Sequence, residues 1–203
     1  MTMNAENGIC IVGILGSVRP RNYTSMAFAL AADEIRSNAG VSLEVIDPAR
    51  MQLPFPGLEG ESSDARALCE TVSRATGVIL ATPEYHGGFS SVMKLVIENL
   101  GFPSVMAGKP VALLGVAAGQ IGAVKSLEGL ASVCSHIGAI VLPGFVSVAR
   151  VNQVFDADGH CRDAAVEKRI RSVGRNLLDY IRGNICPRVA LEAMVRERTI
   201  DAK

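Results

Sequence analysis

Two polar loops hold most of the residues in this sequence whose types and spacing suit ligand binding. The first, residues 16–25, combines arginines with hydroxyl side chains, and the second, residues 83–88, combines an acid, a tyrosine and a histidine. Each loop directly follows an apolar run of the kind that forms a buried strand. Because loops at the carboxyl ends of neighbouring parallel strands converge on one crevice, we expect the two loops to share a ligand site.

The first loop has the donors that a phosphate group needs. It leads into a segment with helical spacing, and a helix N-terminus presents free amides and a dipole that attract anions. Hydroxyl donors come from Ser17, Thr24 and Ser25, and charged donors come from Arg19 and Arg21. The alternative is that the hydroxyl side chains only cap the helix while both arginines are solvated.

Two common phosphate-binding motifs do not fit this loop. The nucleoside-triphosphate loop needs a second glycine followed by lysine and a hydroxyl residue, and the dinucleotide fingerprint needs three glycines in fixed spacing. The only glycines near the loop are Gly13 and Gly16. Both classes of nucleotide-binding protein are therefore disfavoured.

The second loop and a third one offer space for a flat ligand. Tyr85 is suited to lie against a ring, and Gly87 and Gly88 allow a ligand to approach the backbone closely. The third loop, residues 117–122, follows another strand-like run and also consists of small residues. We therefore expect three loops to face one crevice.

The elements that position these loops alternate between strand-like and helix-like patterns. The predicted strands are residues 9–15, 41–46, 77–81, 111–116 and 140–142, and the predicted helices are residues 25–38, 63–75, 90–100, 121–137 and 163–181. Parallel neighbours need a crossover, which is usually a helix, so this alternation predicts an α/β fold with a doubly wound, five-stranded parallel sheet. We expect the strand order 2-1-3-4-5.

Length and composition limit the number of domains and the classes of ligand that suit this chain. A chain of 203 residues suits one domain, with a core at about residues 9–181 and a tail at 183–203 whose charged stretch 191–198 packs outside the sheet. Residues 47–62 contain three prolines and are expected to form a surface connection. Lys plus Arg and Asp plus Glu both number 20, which disfavours a nucleic-acid partner or a membrane surface. The expected ligand is a small molecule.

The same composition indicates a cytoplasmic protein. No apolar run approaches the roughly 20 residues of a membrane span, and residues 1–8 lack the pattern of a signal peptide. The five cysteines have no paired spacing, which is typical of isolated thiols, and Cys10 and Cys134 are expected to fill the core. Three scattered histidines provide no metal site.

Taken in order, the motifs resemble the NAD(P)H-dependent FMN reductase family of flavodoxin-like proteins. The resemblance rests on Gly16-Ser17-x-Arg19 before a hydroxyl-rich helix start, Pro83-Glu84-Tyr85-x-Gly87 followed by Lys94, and Lys109-Pro110-Val111 leading to the Gly119 loop. It covers roughly residues 9–181 and implies a three-layer flavodoxin-like fold. It also implies an enzyme that transfers a hydride from NADPH or NADH to FMN and passes electrons to an acceptor, which stays open among free flavins, quinones, azo compounds, chromate and ferric species.

The resemblance further implies where FMN would lie. The phosphate would occupy the first loop, the ring would lie against the second, and the polar edge of the ring would meet the third. The residues so assigned are Ser17, Arg19, Asn22, Tyr23, Thr24, Ser25, Pro83, Glu84, Tyr85, His86, Gly87, Ala118, Gly119 and Gln120. No side chain is expected to act as a catalytic acid or base, because the cofactors carry hydride transfer.

Some positions depart from the family's usual residues. Asn22 stands where relatives often have serine, His86 where many have asparagine, and residues 97–99 read Ile-Glu-Asn rather than Ile-Asp-Trp. His86 is either a residue of the acceptor pocket or simply exposed. Glu84 is as well suited to a hydrogen bond within its turn, or to a neighbouring subunit, as to chemistry.

Other functions and the assembly remain open. A flavodoxin-like electron carrier without NAD(P)H activity is the main alternative, although such carriers are usually strongly acidic, and a domain that has lost flavin is another. We expect a homodimer or homotetramer, because Val92, Leu95, Val96 and Leu100 form an apolar stripe. The alternative is that this stripe only covers the sheet.

Overall fold

The computed structural model describes residues 8–58 and 62–201. Its strands are β1 (Ile9–Leu15), β2 (Val41–Ile46), β3 (Gly77–Tyr85), β4 (Gly88–Phe89), β5 (Pro110–Val116), β6 (Ile140–Val141) and β7 (Val146–Val148). Its α-helices are α1 (Tyr23–Arg36), α2 (Ser63–Arg74), α3 (Ser91–Glu98), α4 (Val124–His136), α5 (Val151–Val154), α6 (Ala164–Tyr180) and α7 (Cys186–Asp201). A 3₁₀ turn lies at Pro48–Arg50, and a π-helical turn at Ile181–Ile185 joins α6 to α7.

The sheet has the predicted order. Its strands lie side by side as β2-β1-β3-β5-β6, and each neighbouring pair along this path is parallel. In the centre, Ile11 of β1 pairs with Leu43 of β2 on one side and with Gly77 of β3 on the other. The predicted α/β class and the order 2-1-3-4-5 are confirmed.

The fifth position of the sheet is divided between two short strands. β6 pairs with the beginning of β5, whereas β7 pairs with the end of β5, at the carboxyl edge of the sheet. Between them lie Pro143, which has no N–H for the ladder, and Gly144, whose φ of +84° leaves the extended conformation. The predicted single strand at residues 140–142 is therefore wrong in its extent.

The predicted second loop is instead the end of a strand and a tight hairpin. Residues 83–85 belong to β3, and Tyr85 pairs with Gly88 of the antiparallel strand β4. The two residues between them, His86 and Gly87, have φ values of +50° and +75°. Positive φ at both positions is the geometry of a type I′ turn, so the turn itself explains the glycine at position 87.

Alternating residues of the strands feed two apolar cores. Ile11 and Ile79 face the layer formed by α1 and α6. Val12 and Leu80 point to the opposite face, which α2, α3 and α4 cover. Coverage on both faces explains why these strands read as continuous apolar runs, and it confirms the predicted three layers.

Part of the apolar stripe of helix α3 packs against the sheet of the same chain. Val96 and Leu100 are completely buried in the core, whereas Val92 and Leu95 are half-buried. Val96 and Leu100 are therefore core residues and are not available to a second subunit. For these two residues the alternative interpretation of the stripe is correct.

The last helix lies outside the sheet. Arg175 of α6 donates two hydrogen bonds to Glu34 of α1, at 3.0 and 2.8 Å, and so joins the two helices of one layer. Beyond them, α7 packs on the core through Cys186 and Val189 near its beginning, while Leu191 is exposed. The predicted helical stretch 191–198 is thus part of a longer helix.

Two sequence expectations concern segments that are only partly described. The signal-peptide expectation concerns residues 1–8, of which residues 1–7 lie outside the described residues. The surface-connection expectation concerns residues 47–62, of which residues 59–61 lie outside the described residues. In the described part of that connection, Phe55 and Leu58 are exposed, as expected of a surface segment. Among the described helices, none combines the length and apolar character needed to cross a membrane.

Candidate functional site

An open cleft of about 330 Å³ lies at the carboxyl edge of the sheet, where β1, β3 and β5 end. Its walls come from the loop before α1, the end of β3 and the segment after β5. The lining residues are Ser17, Arg19, Pro20, Arg21, Asn22, Tyr23, Thr24, Pro83, Glu84, Tyr85, Val116, Ala117, Ala118 and Val151. The three predicted loops therefore meet at one cleft.

The beginning of α1 presents backbone amides to this cleft. Amides in the first turn of a helix have no carbonyl partner within the helix. The Ser25 N–H donates to Oδ1 of the N-cap residue Asn22 at 2.8 Å, whereas the N–H groups of Tyr23 and Thr24 have no hydrogen-bond partner among the described residues. Asn22 Nδ2 also donates to the carbonyl of Arg19 at 2.7 Å, which fixes the loop against the helix end.

Two largely buried residues with hydroxyl side chains lie in the loop before α1 and in its first turn. Ser17 is 4% exposed and Thr24 is 1% exposed, and both line the cleft. Within the described part of the chain neither hydroxyl has a hydrogen-bond partner. The Ser25 hydroxyl differs, since it donates to Asn22 Oδ1 at 3.1 Å and Ser25 does not line the cleft. Because both residues line the open cleft, their hydroxyl groups are available to donate to a ligand with acceptor oxygens.

The rim of the cleft carries positive charge. Arg19 and Arg21 are exposed, and neither forms an ion pair within the described ranges. Arg21 has a φ of +51°, a left-handed conformation that long side chains rarely adopt and that often occurs at functional sites. The chain as a whole has no net charge, so this positive rim is a local property.

The acid in the cleft wall stabilises a helix. Glu84 Oε2 accepts a hydrogen bond from the backbone N–H of Ser126, in the first turn of α4, at 3.0 Å. The N-cap residue of α4 is Ala123, whose side chain has no hydrogen-bonding group, and the Ala123 N–H donates to Ser147 Oγ at 2.8 Å. Glu84 therefore supplies by a tertiary contact the cap that the local sequence lacks.

The tip of the β3–β4 hairpin extends beyond the cleft. Tyr85 lines the cleft and is 44% exposed, so its side chain is accessible to a ligand. His86 and Gly87 are exposed and lie outside the cleft lining. The structure therefore separates Tyr85 from the two hairpin residues that the sequence had grouped with it.

The third loop is held by the chain that follows β7. The N–H of Arg150 donates to the carbonyl of Gly119 at 3.0 Å, and the N–H of Val151 donates to the carbonyl of Ala117 at 3.0 Å. The Arg150 guanidinium also donates to Gln120 Oε1 at 3.3 Å. These bonds turn Gln120 outward, and only Ala117 and Ala118 of this loop line the cleft.

The sequence therefore predicted most of the residues that line the cleft and missed a few of them. The predicted residues that line it are Ser17, Arg19, Asn22, Tyr23, Thr24, Pro83, Glu84, Tyr85 and Ala118, and those that do not are Ser25, His86, Gly87, Gly119 and Gln120. Four further lining residues lie in or directly beside the predicted loops and were signalled by position: Pro20, Arg21, Val116 and Ala117. Val151 had no signal, because it reaches the cleft only through the pairing of β7 with β5.

Several titratable groups lie away from the cleft. Lys109 is 3% exposed, and its Nζ donates to the carbonyls of Ser73 and Ala75 at the end of α2, at 2.9 and 2.7 Å. Burial lowers the pKa of Lys109 to about 8, although nearby Cys10 raises it. Burial also raises the pKa of the Cys134 thiol to about 12.

The cysteines agree only partly with expectation. All five are free thiols, and Cys134 is buried in the core as predicted. Cys10 is only half-buried, because it lies near the beginning of β1, where the layers no longer cover the strand completely.

One group of side chains has the spacing of metal ligands. Ligand atoms of Asp156, Asp158 and His160 lie within 4.8 Å of one another, in the turn before α6. Asp156 Oδ1 already accepts the N–H groups of Asp158 and His160, at 3.0 and 2.8 Å, and these bonds contribute to a lowered pKa of Asp156. The carboxylate thus stabilises its own turn.

Comparison with known proteins relates the chain to flavin enzymes. The NAD(P)H-dependent FMN reductase PA1204 of Pseudomonas aeruginosa is 26% identical over 182 residues, which are 87% of this chain and 97% of that protein. The NADPH azoreductase of a Bacillus species is 32% identical over 136 residues, which are 66% of this chain and 72% of that protein.

A solved structure shows the shared fold. FerB, a flavoenzyme NAD(P)H:(acceptor) oxidoreductase from Paracoccus denitrificans, matches with a TM-score of 0.74 at 17% identity, over 86% of this chain and 98% of that one. This likeness confirms the predicted flavodoxin-like fold. Residues 9–153 match the family described as NADPH-dependent FMN reductase, and this match spans all the described strands of the sheet and all three walls of the cleft. The chain therefore belongs to the NADPH-dependent FMN reductase family.

Proposed function

We propose that this chain binds FMN in the cleft and passes electrons from NADPH or NADH to a second small molecule. The observation that supports this most directly is that the open first turn of α1, the aromatic end of β3 and the small residues after β5 converge on one cleft. FMN combines a phosphate with a flat ring system. A site for FMN therefore needs polar donors for the phosphate and a flat surface for the ring.

The phosphate end of the cleft fits the phosphate of FMN. The amides of Tyr23 and Thr24 and the hydroxyls of Ser17 and Thr24 lack partners among the described residues, and all belong to residues that line the cleft. Amides at a helix N-terminus and charged donors such as Arg19 favour a doubly charged anion. These residues would hold the phosphate.

The other walls fit a planar ring. Tyr85 offers an exposed aromatic side chain, and Ala117 and Ala118 offer backbone groups without bulky side chains. The cleft volume of about 330 Å³ lies within the range of roughly 300–1,000 Å³ that is usual for small-molecule sites. Pro83, Glu84, Tyr85 and Ala118 would lie beside the ring.

The chain itself binds and orients the reactants. Bound FMN supplies the redox chemistry, since it accepts a hydride from reduced nicotinamide and releases electrons to an acceptor. Glu84, the acid in the cleft wall, already accepts a hydrogen bond from Ser126 and so serves the scaffold. We assign no side chain the role of acid or base.

The acceptor is proposed by class. The cleft is open on one side, so a small molecule can reach the ligand that lies in it. Relatives are named an azoreductase and a 2-hydroxy-1,4-benzoquinone reductase, which favours azo compounds and quinones beside free flavin, chromate and ferric species. The structure of this chain does not select one of them.

An anaerobic visible spectrum tests the proposal. The purified protein is reconstituted with FMN, and the flavin bands are recorded before and after one equivalent of NADPH or NADH. Bleaching faster than that of free FMN supports a reductase and reveals the preferred nucleotide. Bound flavin that ignores both nucleotides would indicate an electron carrier, and a lack of FMN binding would overturn the proposed site.

We further propose a cytoplasmic homodimer or homotetramer. Beyond the end of α3, Phe102 is fully exposed, and Phe55 is exposed on the segment that Asn99 contacts through the carbonyl of Pro54, at 3.0 Å. Such apolar exposure near one helix end favours an interface. Light scattering after size-exclusion chromatography tests it, and a monomer of 21.4 kDa would contradict it.

A further inference from the structure

Two buried hydroxyl side chains connect the phosphate end of the cleft to its ring end. The Ser90 hydroxyl donates to the carbonyl of Gly16 at 2.5 Å, in the loop before α1. The Ser90 N–H donates to Thr82 Oγ1 at 3.2 Å, and the Thr82 hydroxyl donates to the carbonyl of Pro83 at 2.9 Å. Ser90 is 3% exposed and Thr82 is completely buried.

The direction of each hydrogen bond is fixed. Ser90 Oγ accepts the N–H of Met93 at 3.0 Å as the N-cap of α3, so its one proton is left for the Gly16 carbonyl. Thr82 Oγ1 accepts the Ser90 N–H, so its one proton is left for the Pro83 carbonyl. Both hydroxyls use a donor and an acceptor, and a network with every member satisfied is rigid.

The loop and the strand are in close contact at this point. The Gly16 N–H donates to the carbonyl of Ala81 in β3 at 2.7 Å. A Cβ atom at position 16 would lie 2.9 Å from that carbonyl oxygen and 3.2 Å from Ser90 Oγ. No residue with a side chain fits there without movement of the loop or of β3, so Gly16 and Ser90 together set the distance between the two walls.

Neither hydroxyl residue lines the cleft, but one end of the network lines it and the other end is next to a lining residue. Gly16 precedes Ser17, which lines the phosphate end, and Pro83 lines the ring end. We infer that Ser90 and Thr82 are positioning residues that hold the phosphate-binding loop and the end of β3 at the spacing FMN requires. This inference rests on the proposed function, because it assumes that FMN occupies the cleft.

The test measures FMN affinity separately from stability. FMN fluorescence is titrated with the flavin-free protein, and urea unfolding is followed without FMN. We expect Ser90→Ala and Thr82→Val each to raise the Kd for FMN by about tenfold. Ser90→Ala removes the donor to the Gly16 carbonyl, whereas Thr82→Val removes the acceptor of the Ser90 N–H and the donor to the Pro83 carbonyl, so each change frees one wall of the cleft. The double variant should lose less than the product of the two single changes, because both substitutions break one network.

A matched serine separates this role from helix capping. Ser62 caps α2, where its hydroxyl accepts the N–H of Ala65 at 3.2 Å and donates to the carbonyl of Gln52 at 2.9 Å, and it does not line the cleft. Ser62→Ala should lower stability but leave the Kd for FMN unchanged. Ser90→Thr and Thr82→Ser keep the hydroxyl groups and should retain a Kd within about twofold of the parent.

The outcomes are distinct. If Ser90→Ala and Thr82→Val lose stability but bind FMN as tightly as the parent protein, the two residues are merely structural and the inference is overturned. If Ser90→Ala does not fold, the near-isosteric Thr82→Val alone decides between these results. If the parent protein itself fails to bind FMN, the proposed function is overturned, and the inference with it.

Discussion

The carboxylate of Glu84, at the end of β3, caps helix α4 by accepting the N–H of Ser126 at 3.0 Å. The contact joins the ring end of the cleft to the helix that follows the third loop. The contact gives Glu84, an acidic side chain in the cleft lining, a structural role that needs no proton transfer. Glu84 is therefore a scaffold residue whose position makes it resemble a catalytic one.

Replacing Glu84 should change stability and not turnover. Glu84→Gln keeps an acceptor but removes the charge at the N-terminus of α4, so we expect the free energy of unfolding to fall by about 0.5–1 kcal/mol. The rate of flavin reduction should stay within about twofold of the parent, because the cofactors carry the hydride. Urea unfolding and stopped-flow reduction check the two parts. Glu128→Gln, an exposed change in the same helix, is the control, and a large loss of rate in Glu84→Gln alone would restore the acid–base hypothesis.

Asn22 has two roles that substitutions can separate. Asn22→Ala removes the cap of α1 and the bond to the Arg19 carbonyl, so we expect a loss of about 1 kcal/mol in stability together with weaker FMN binding. Asn22→Asp keeps the cap but adds a negative charge beside the phosphate. It also loses the donor to the Arg19 carbonyl, so it should lose less stability than Asn22→Ala and still weaken FMN binding.

The control for Asn22 is a cap remote from the cleft. Asp163 caps α6 by accepting the N–H groups of Ala165 and Val166, at 2.9 and 3.1 Å. Asp163→Ala should lose similar stability and keep the parent affinity for FMN, measured by fluorescence titration. Equal affinities for FMN in all three variants would show that the beginning of α1 does not hold the phosphate.

Much of this architecture could be predicted from local sequence because the strands are buried on both faces. Continuous apolar runs such as β1 and β5 mark a doubly covered sheet, and the polar residues after them mark its ligand edge. The hairpin after β3 was missed because Pro83 and Glu84 are uncommon in strands, and antiparallel pairing with β4 overrides that preference.

The contacts that shape the cleft could not be predicted in this way. The bond from Ser90 to Gly16 joins residues 74 positions apart, and the bond from Ser126 to Glu84 joins residues 42 positions apart. Each depends on the packing of helices against the sheet, and no periodicity in the chain encodes it. The division of the fifth strand, which brings Val151 to the cleft, likewise depends on how β7 pairs with β5.

The hairpin tip should tolerate change at His86. A φ of +50° costs most side chains roughly 1–2 kcal/mol, and asparagine and glycine adopt it most readily. We therefore expect His86→Asn and His86→Gly to raise the thermal midpoint, while His136→Asn, at the end of α4, should not raise it. Differential scanning fluorimetry checks this. The rates of FMN reduction and of electron transfer to each acceptor are measured separately. If His86→Asn keeps the first rate but slows transfer to one acceptor, His86 belongs to the acceptor pocket.

Lys109 should make stability depend on alkaline pH. Its pKa is about 8 in the folded protein and 10.5 in an ordinary environment, because burial disfavours the charged form. Between these values the unfolded chain binds the proton more tightly, so the contribution of Lys109 to the free energy of unfolding rises as pH rises from 8 to 10.5. The difference in unfolding free energy between the parent and Lys109→Met should therefore increase over this window. Lys168→Met, at an exposed position, is the control, and a constant difference would contradict the lowered pKa.

Arg21 is the residue we expect to distinguish the two nicotinamide nucleotides. Arg19 lies nearer the beginning of the loop, where its backbone is tied to Asn22. Arg21 lines the cleft, is exposed, has a left-handed backbone conformation and has no ion pair in the described ranges. The adenosine 2′-phosphate occurs in NADPH and not in NADH, and a free guanidinium at the rim suits it. Arg21→Ala should raise the KM for NADPH about tenfold and that for NADH little, whereas Arg19→Ala should mainly weaken FMN binding.

Steady-state kinetics with both nucleotides, at saturating FMN, measure this difference. Arg182→Ala is the matched control, since Arg182 is exposed and its guanidinium donates to Asn38 beyond the opposite end of α1, at 3.1 Å. It should leave both KM values unchanged. Adding salt should raise the KM for NADPH of the parent more than that of Arg21→Ala, because the contact between two exposed charges is screened. Equal changes in the two KM values on Arg21→Ala would mean that Arg21 acts on features the nucleotides share, such as the pyrophosphate, and does not read the 2′-phosphate.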